Sequence, residues 1–390
     1  MGRGVLMESQ LRIALFGGNY NFQADGANKA LNRLVGYLER ENIEVLVFSP
    51  TNEKHAFDAP GTVVSIPSMP IPFRSEYRIG TGLSRRVKQK LLDFKPTLIH
   101  LSAPDIIGHS ALKFAERENI PAVASFHTRF DTYFEYYNVG WLAPWCRRQM
   151  AKYYKRCQHV YVPSPSVGDV LQSQEIVGEN IRTWSRGIDR NFFNPDKRDM
   201  AWRRNLGIDD ADIVLTFVGR LVKEKGLNEY ADLVDSLRQR GLPVKAMIVG
   251  DGPERGRIEG TLPGAILTGH LTGPDLSRAY ASSDIFINPS LTETFGNVTL
   301  EAMASGVPSV CLRATGTSDL IQNGENGWLI DSPDDPDWTE KTAELCTDKQ
   351  LRRQMGRRAR EISADYNWDR IMQNLVGNYR QVLTRYRQTV

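Results

Sequence analysis

The chain has 390 residues, 41% hydrophobic, 24% charged and 9% aromatic, with a formal net charge of +3. That length exceeds one ordinary core and points to two domains of roughly 180 residues each. The balance excludes a fibrous or disordered chain, and so small a net charge gives no ground for a nucleic-acid partner. No apolar run reaches the roughly 18 residues that span a bilayer, and Met1 to Gln10 lacks the apolar centre of a secretory signal, so the expected location is cytoplasmic.

Short apolar runs alternate with longer amphipathic stretches from end to end, the pattern of parallel strands joined by crossover helices. The first series of strands is expected near Leu11–Phe16, Glu44–Phe48, Thr97–Leu101, Pro121–Phe126 and His159–Val162. A second series begins afresh near Ile213–Val218 and continues at Val244–Val249, Ala265–Thr268, Asp284–Asn288, Ser309–Leu312 and Gly327–Ile330. The turn-rich segment from Arg186 to Pro195 lies between them and marks the expected hinge. We therefore expect an α/β chain of two doubly wound, Rossmann-like domains, 1–188 and 189–366, facing across a cleft. A last helix, 367–390, is expected to cross back to the first domain, with Ile371, Leu375, Tyr379, Val382 and Tyr386 on its apolar face. Cys146, Cys157, Cys311 and Cys346 form no CxxC pair, which argues against a zinc site or a disulfide framework and for reduced, buried thiols.

In open parallel sheets ligands bind beyond the carboxyl ends of the strands, so the loops after the strands carry the chemistry. Gly17-Gly18-Asn19 follows the first strand and leads through Asp25-Gly26 into a helix. Glycines there admit a phosphate or sugar close to the backbone. The spelling does not match GxGxxG, and a purely structural turn is an equal alternative. The loop Gly219-Arg220-Leu221-Val222-Lys223-Glu224-Lys225-Gly226 is sharper. It sets Arg220, whose planar fork grips two phosphate oxygens, and Lys225, a compact second charge, just past a buried strand. Lys223 and Glu224 read as a solvated charged turn. Further on, Glu293 and Glu301 flank Thr294-Phe295-Gly296-Asn297-Val298 at a loop-to-helix junction, where free N–H groups and a helix dipole suit sugar oxygens and phosphate. The alternative is that Glu293 caps a helix and Glu301 is merely exposed.

Taken together, the Glu293/Glu301 pair, Gly219-Arg220 with Lys225-Gly226, Gly250-Asp251-Gly252-Pro253, and Glu301-Ala302-Met303-Ala304 with Gly306 and Pro308 resemble glycosyltransferase family 4 in order and spacing. The resemblance runs from Phe16-Gly17-Gly18 to the last helix and implies the GT-B architecture and retaining sugar transfer. It implies that Arg220 and Lys225 hold the donor diphosphate, Glu293 the hydroxyls of the transferred sugar and Glu301 the nucleotide ribose. The loops at Gly17, Gly18, Gly219, Gly250, Gly252, Pro253, His270, Leu271, Thr294, Phe295, Gly296, Asn297 and Val298 would surround the donor. His127, in Ser125-Phe126-His127-Thr128, matches the histidine that the family places beside the reacting sugar.

In this chemistry the cations manage the charge of the leaving group, so no metal and no cofactor beyond the nucleotide-diphosphate sugar is expected. The spellings Asp210-x-Asp212 and Asp335-x-Asp337 read as solvated turns. The first domain is similar to GDP-mannose-dependent α-mannosyltransferases and sulfoquinovosyl-lipid synthases, which implies mannose from GDP-mannose, with UDP-sugars as the alternative. Asn19, Tyr20, Asp25, Gly26, Arg129 and Tyr133 are the acceptor candidates, and a lipid or glycan hydroxyl is the expected acceptor. Trp141-Leu142-Ala143-Pro144-Trp145, followed by Arg147, Arg148, Lys152, Lys155 and Arg156, reads either as a peripheral contact with an anionic membrane or as an ordinary solvated helix face. Competing functions are a non-hydrolysing nucleotide-sugar epimerase, a sugar phosphorylase and a non-catalytic nucleotide-sugar binding module.

Overall fold

The computed structural model describes residues 10–18, 20, 26–51, 59–71, 74–127 and 140–389. The chain divides into two compact units, one of residues 1–163, 168–184 and 369–390, the other of 164–167 and 185–368.

The first unit is built on strands β1 (Arg12–Phe16), β2 (Glu44–Ser49), β3 (Thr62–Ser65), β4 (Ser68–Ile71), β5 (Arg74–Gly80), β6 (Leu98–Leu101), β7 (Ala122–Ser125), β8 (His159–Val162) and β9 (Ile181–Thr183). Seven of them form a parallel sheet in the order β3-β2-β1-β6-β7-β8-β9, and β4 pairs with β5 antiparallel beside it. Strands β6, β7 and β8 are buried at every position, as expected of parallel strands covered on both faces. The covering helices follow their spacing. Gly26–Arg40 buries Ala30, Leu31, Leu34, Val35 and Leu38. Ile106–Arg117 starts at Asp105, whose side chain accepts a hydrogen bond from the Gly108 amide at 2.7 Å.

Helix Trp368–Thr389 contributes nearly all its length to this unit. It buries Met372, Leu375, Val376, Tyr379, Val382 and Leu383, with the Tyr379 hydroxyl 2.5 Å from His100 Nδ1 in β6. The expected apolar face was thus slightly rotated, because Ile371 and Tyr386 lie at its half-buried margins.

The second unit is a six-stranded parallel sheet, ordered β12-β11-β10-β13-β14-β15. Its strands are β10 (Ile213–Val218), β11 (Val244–Val249), β12 (Ile266–Gly269), β13 (Ile285–Asn288), β14 (Ser309–Leu312) and β15 (Gly327–Ile330). Leu215, Phe217, Ile248, Ile285 and Val310 pack with Tyr230, Leu233 and Leu237 of helix Leu227–Gln239 and with Trp338 and Leu345 of helix Pro336–Thr347. Below the sheet, Arg203 is 1% exposed and bonds Asp284 at 2.8 Å, and Arg198 reaches the other carboxylate oxygen at 2.7 Å.

Every strand expected from the sequence is found to within a residue at each end. Strands β3, β4, β5 and β9 were not foreseen. β3 and β9 close the two edges of the sheet and are half-exposed, so they lack the apolar run that marks a central strand. Cys157, Cys311 and Cys346 are buried, and burial pushes each thiol up to about 12, while Cys146 is half-buried.

Candidate functional site

Both sheets reverse direction of growth at one point, between β1 and β6 in the first unit and between β10 and β13 in the second. At such a point the loops leaving neighbouring strands run in opposite directions, and open parallel sheets bind their ligands there.

In the second unit glycines let the loops after β10 and β11 lie close together. Gly250 has φ +145°, and a side chain on it would stand 1.8 Å from the Gly219 carbonyl oxygen; one on Gly252 would stand 2.4 Å from that of Leu221. The Gly219 amide donates to Val249 O at 3.0 Å and the Gly250 amide to Gly269 O at 2.9 Å. The Gly219 and Gly250 N–H groups extend the sheet, while Gly250 and Gly252 are the positions where only glycine lets the backbones approach. His270, exposed, and Leu271, half-buried, follow β12. Asp251 and Pro253 are exposed on the adjoining turn.

Arg220 is exposed in the loop after β10. The chain then makes a short 3-10 turn, Lys223–Lys225, and enters helix Leu227–Gln239 through Gly226. A side chain on Gly226 would meet the Pro289 carbonyl at 2.4 Å, so the loops after β10 and β13 touch. That approach brings Lys225 Nζ to 2.5 Å from Glu293 Oε1, with only 26% and 13% of the two side chains exposed. Glu293 is held by its backbone too, since its carbonyl accepts from the Gly316 amide at 2.9 Å and from Thr315 Oγ1 at 2.7 Å. Glu224 corrects the reading of a solvated turn. It is 9% exposed, and its carbonyl faces the hydroxyls of Ser290 and Thr292, whereas Lys223 is exposed as expected.

Gly296, at φ +87°, opens helix Asn297–Ala304. Phe295 is buried against Tyr366, ring centroids 5.9 Å apart, and the Thr294 carbonyl accepts from Ser164 Oγ. Asn297 and Val298 are half-buried in the first turn. Within the helix, Glu301 Oε2 accepts from the Tyr280 hydroxyl at 2.8 Å. Tyr280 is fully buried, and burial followed by the Glu301 charge drives its phenol far up, so it remains a donor. Glu301 is therefore aimed by a buried partner rather than merely exposed. Tyr280 was missed because a tyrosine on an amphipathic helix reads as core.

In the first unit Gly17 donates to Phe48 O at 3.0 Å and Gly18 lies over Asp105, where a side chain on Gly18 would stand 2.9 Å from Asp105 Oδ2. Burial raises the Asp105 carboxyl above its ordinary value. His127 leaves β7 and meets Trp184 edge to face at 5.7 Å. Tyr20 is a correction to the acceptor set. Its side chain is fully buried, with the hydroxyl donating to Pro60 O at 2.9 Å, so no surface remains for a ligand. Gly26 begins the helix after the glycine loop. Asn19, Asp25, Arg129 and Tyr133 lie outside the described residues.

Elsewhere in this unit Trp141 and Trp145 are 77% and 62% exposed. Arg147, Arg148, Lys152 and Lys155 line an open recess of about 540 Å³ along helix Ala143–Tyr154. Arg156 is set apart from that face by its bidentate pair with Glu116, at 2.7 and 2.5 Å. The DxD-like spellings are turn and cap residues. Asp210 pairs with Arg204, and Asp335 caps helix Pro336–Thr347. Among the described residues no three His, Cys, Asp or Glu side chains gather as metal ligands, and no helix is long and apolar enough to cross a membrane.

Two parallel Rossmann-like sheets, each with a switch point in its strand order, define a GT-B fold. Across 96% of this chain and all of the other, the structure resembles a sucrose-phosphate synthase from Thermosynechococcus elongatus, with TM-score 0.79 and 20% identity. Residues 24–192 match the model for Glycosyltransferase Family 4, and residues 199–362 that for glycosyl transferases group 1. The chain is 32% identical to the sulfoquinovosyl transferase SQD2 of Arabidopsis thaliana, over 92% of this chain and 71% of that one. It is 31% identical to a GDP-mannose-dependent alpha-mannosyltransferase of Corynebacterium glutamicum, over 96% and 89% respectively. The protein belongs to glycosyltransferase family 4 and is a glycosyltransferase.

Proposed function

We propose that this enzyme transfers α-mannose from GDP-mannose to a hydroxyl of a lipid or glycolipid, with retention of configuration and without a metal ion. The observation that carries the reading is the Lys225–Glu293 pair at the β10/β13 switch point, with Arg220 exposed in the same loop. As the bond from the anomeric carbon to the phosphate oxygen breaks, negative charge grows on the diphosphate, and Arg220 and Lys225 balance it. The acceptor oxygen bonds to the anomeric carbon on the face the diphosphate leaves, and its proton passes to the departing phosphate oxygen. Glu293 accepts hydrogen bonds from the sugar hydroxyls, Glu301 from the ribose, and His127 stands beside the reacting sugar. The amides at the start of helix Asn297–Ala304 face the phosphate. Fixed side-chain cations supply the charge that a metal would otherwise supply, so no cofactor besides the donor enters the scheme.

Mannose rests on the Corynebacterium relative; the Arabidopsis relative favours the second reading, transfer from a UDP-sugar of the glucose, glucuronic acid or sulfoquinovose type. The deciding experiment adds GDP, UDP or ADP to the protein in EDTA, follows thermal unfolding, and then identifies products from the matching sugar nucleotides. GDP alone should raise the Tm, and GDP-mannose should yield an α-mannoside. Stabilisation by UDP alone would move the reading to its alternative. An epimerised sugar nucleotide, a sugar phosphate, or binding without turnover would overturn transfer altogether.

The exposed tryptophans beside Arg147, Arg148 and Lys152 support a peripheral contact with the anionic inner face of a membrane, where a lipid acceptor is presented. Salt should release the protein from anionic vesicles, and reversing these three charges should abolish binding while GDP still stabilises the fold. Unchanged binding would remove the membrane contact from the proposal.

A further inference from the structure

The imidazole of His127 needs something to choose its plane, because the terminal torsion of a histidine is broad and roughly two-fold. Trp184 is a side chain that the structure sets against it. Trp184 is 1% exposed, and its backbone amide, just past β9, donates to Val162 O at 2.8 Å, so the indole stands on a fixed strand end. One imidazole, His127, meets it at 5.7 Å and 63°, and a second, His100, at 5.6 Å and 65°.

His100 is itself fully determined. Its Nε2 lies 2.5 Å from Ser125 Oγ and its Nδ1 2.5 Å from the Tyr379 hydroxyl of the last helix. Tyr379 in turn packs on Tyr161 at 5.8 Å. Burial lowers the His100 imidazole to about 3, so at neutral pH the ring is uncharged and each nitrogen has a hydroxyl partner.

We propose that Trp184 is a positioning residue for His127, held in turn by His100 and Tyr379, so that the last helix of the chain orients the imidazole beside the reacting sugar. The inference rests on the proposed role of His127. A ring whose plane is set before the donor binds needs no reorganisation in the transition state. The two edge-to-face contacts act on Trp184 from different strands, His127 from the end of β7 and His100 from β6, so a tilt of the indole would be passed to His127.

The test measures steady-state transfer from GDP-mannose by Trp184→Leu and Trp184→Phe, each in the parent and in a His127→Ala background. Alongside it, imidazole resonances of isotopically labelled protein are recorded without substrate. Trp184→Leu should lower kcat by about 10- to 100-fold with little change in donor KM. Trp184→Phe, which keeps an aromatic edge, should recover most of it. In the His127→Ala background Trp184→Leu should cost less than about twofold, because the group it positions is gone. The His127 signals should shift or broaden in Trp184→Leu and, to a smaller extent, in Tyr379→Phe, which removes only the hydroxyl from His100.

An equal loss of kcat with and without His127, or unchanged kcat in Trp184→Leu, would overturn the proposal. If His127→Ala itself transfers at the parent rate, the role assigned to His127 fails and the proposal with it. Unmoved His127 signals would instead show that Trp184 does not set the ring, whatever the rates. If Trp184→Leu does not fold, Tyr379→Phe in the parent and His127→Ala backgrounds carries the comparison, and an equal loss of kcat in both would overturn the proposal.

Discussion

Lys225 and Glu293 neutralise one another at 2.5 Å while both are mostly shielded from water, an arrangement in which each charge is costly to leave alone. A diphosphate arriving at Lys225 and a sugar at Glu293 would divide that pair between them. Lys225→Ala and Glu293→Ala should therefore each lower kcat by about 100- to 1,000-fold, the loss typical of one transition-state charge contact. Circular dichroism should remain that of the parent, and near-parental rates in both variants would refute the assignment. Gly250 makes a different prediction. At φ +145°, and with only 1.8 Å between a new methyl group and the Gly219 carbonyl, Gly250→Ala forces the β10 and β11 loops apart. It should destabilise the protein by more than about 1 kcal/mol and weaken nucleotide binding. A denaturant midpoint equal to the parent's would show that the loops can yield. Arg220, Lys225 and Glu293 stand out as candidates in the sequence because they are charged residues just past buried strands. Tyr280, Asp105 and Trp184 were not legible, since each reads alone as core or cap and acquires meaning only from the group it faces.

At the level of elements, the central strands announce themselves by apolar runs buried on both faces, whereas the edge strands β3 and β9 pair on one side only and leave no such trace. The sheet of the second unit is also tied to the segment that leads into it. Burial raises the Asp284 carboxyl, but the Arg198 and Arg203 guanidiniums outweigh it and leave the group lowered. Asp284 further accepts from the Val214 amide at the start of β10. Asp284→Asn would strand the buried Arg203 without its counter-charge and should cost about 3 to 5 kcal/mol. Urea unfolding would measure this; a loss below about 1 kcal/mol would show that Arg203 finds its compensation in the Ser282 and Asp212 carbonyls, each 2.8 Å away.

For the whole molecule, acid is the expected weakness. Burial lowers His100 to about 3, and burial together with the Arg182 and Arg385 charges lowers His159 to about 4. Both are held neutral in the native state while an unfolded histidine protonates near 6.5, so the unfolded state binds more protons below that value. The stability is complete above about pH 6.5 and drains away as the pH falls toward 4, by up to about 1.4 kcal/mol per pH unit for each histidine. The Tm should follow that course, and His100→Gln, which cannot protonate, should flatten the slope. A Tm constant from pH 7 to 4 would mean that these rings are not buried neutral.

The amino-acid sequence by itself determined the class: two series of parallel strands, cations and carboxylates in the loops after them, and the glycines that let those loops approach. These follow from local periodicity and from residue types that are costly anywhere but in a site. Only the tertiary structure decided that Lys225 meets Glu293, that Tyr280 aims Glu301, that Tyr20 is core and that the last helix reaches His100 through Tyr379. Each of these is a contact between residues distant in the chain, made or excluded by how sheets and helices stack, and no spacing along the sequence encodes that stacking directly.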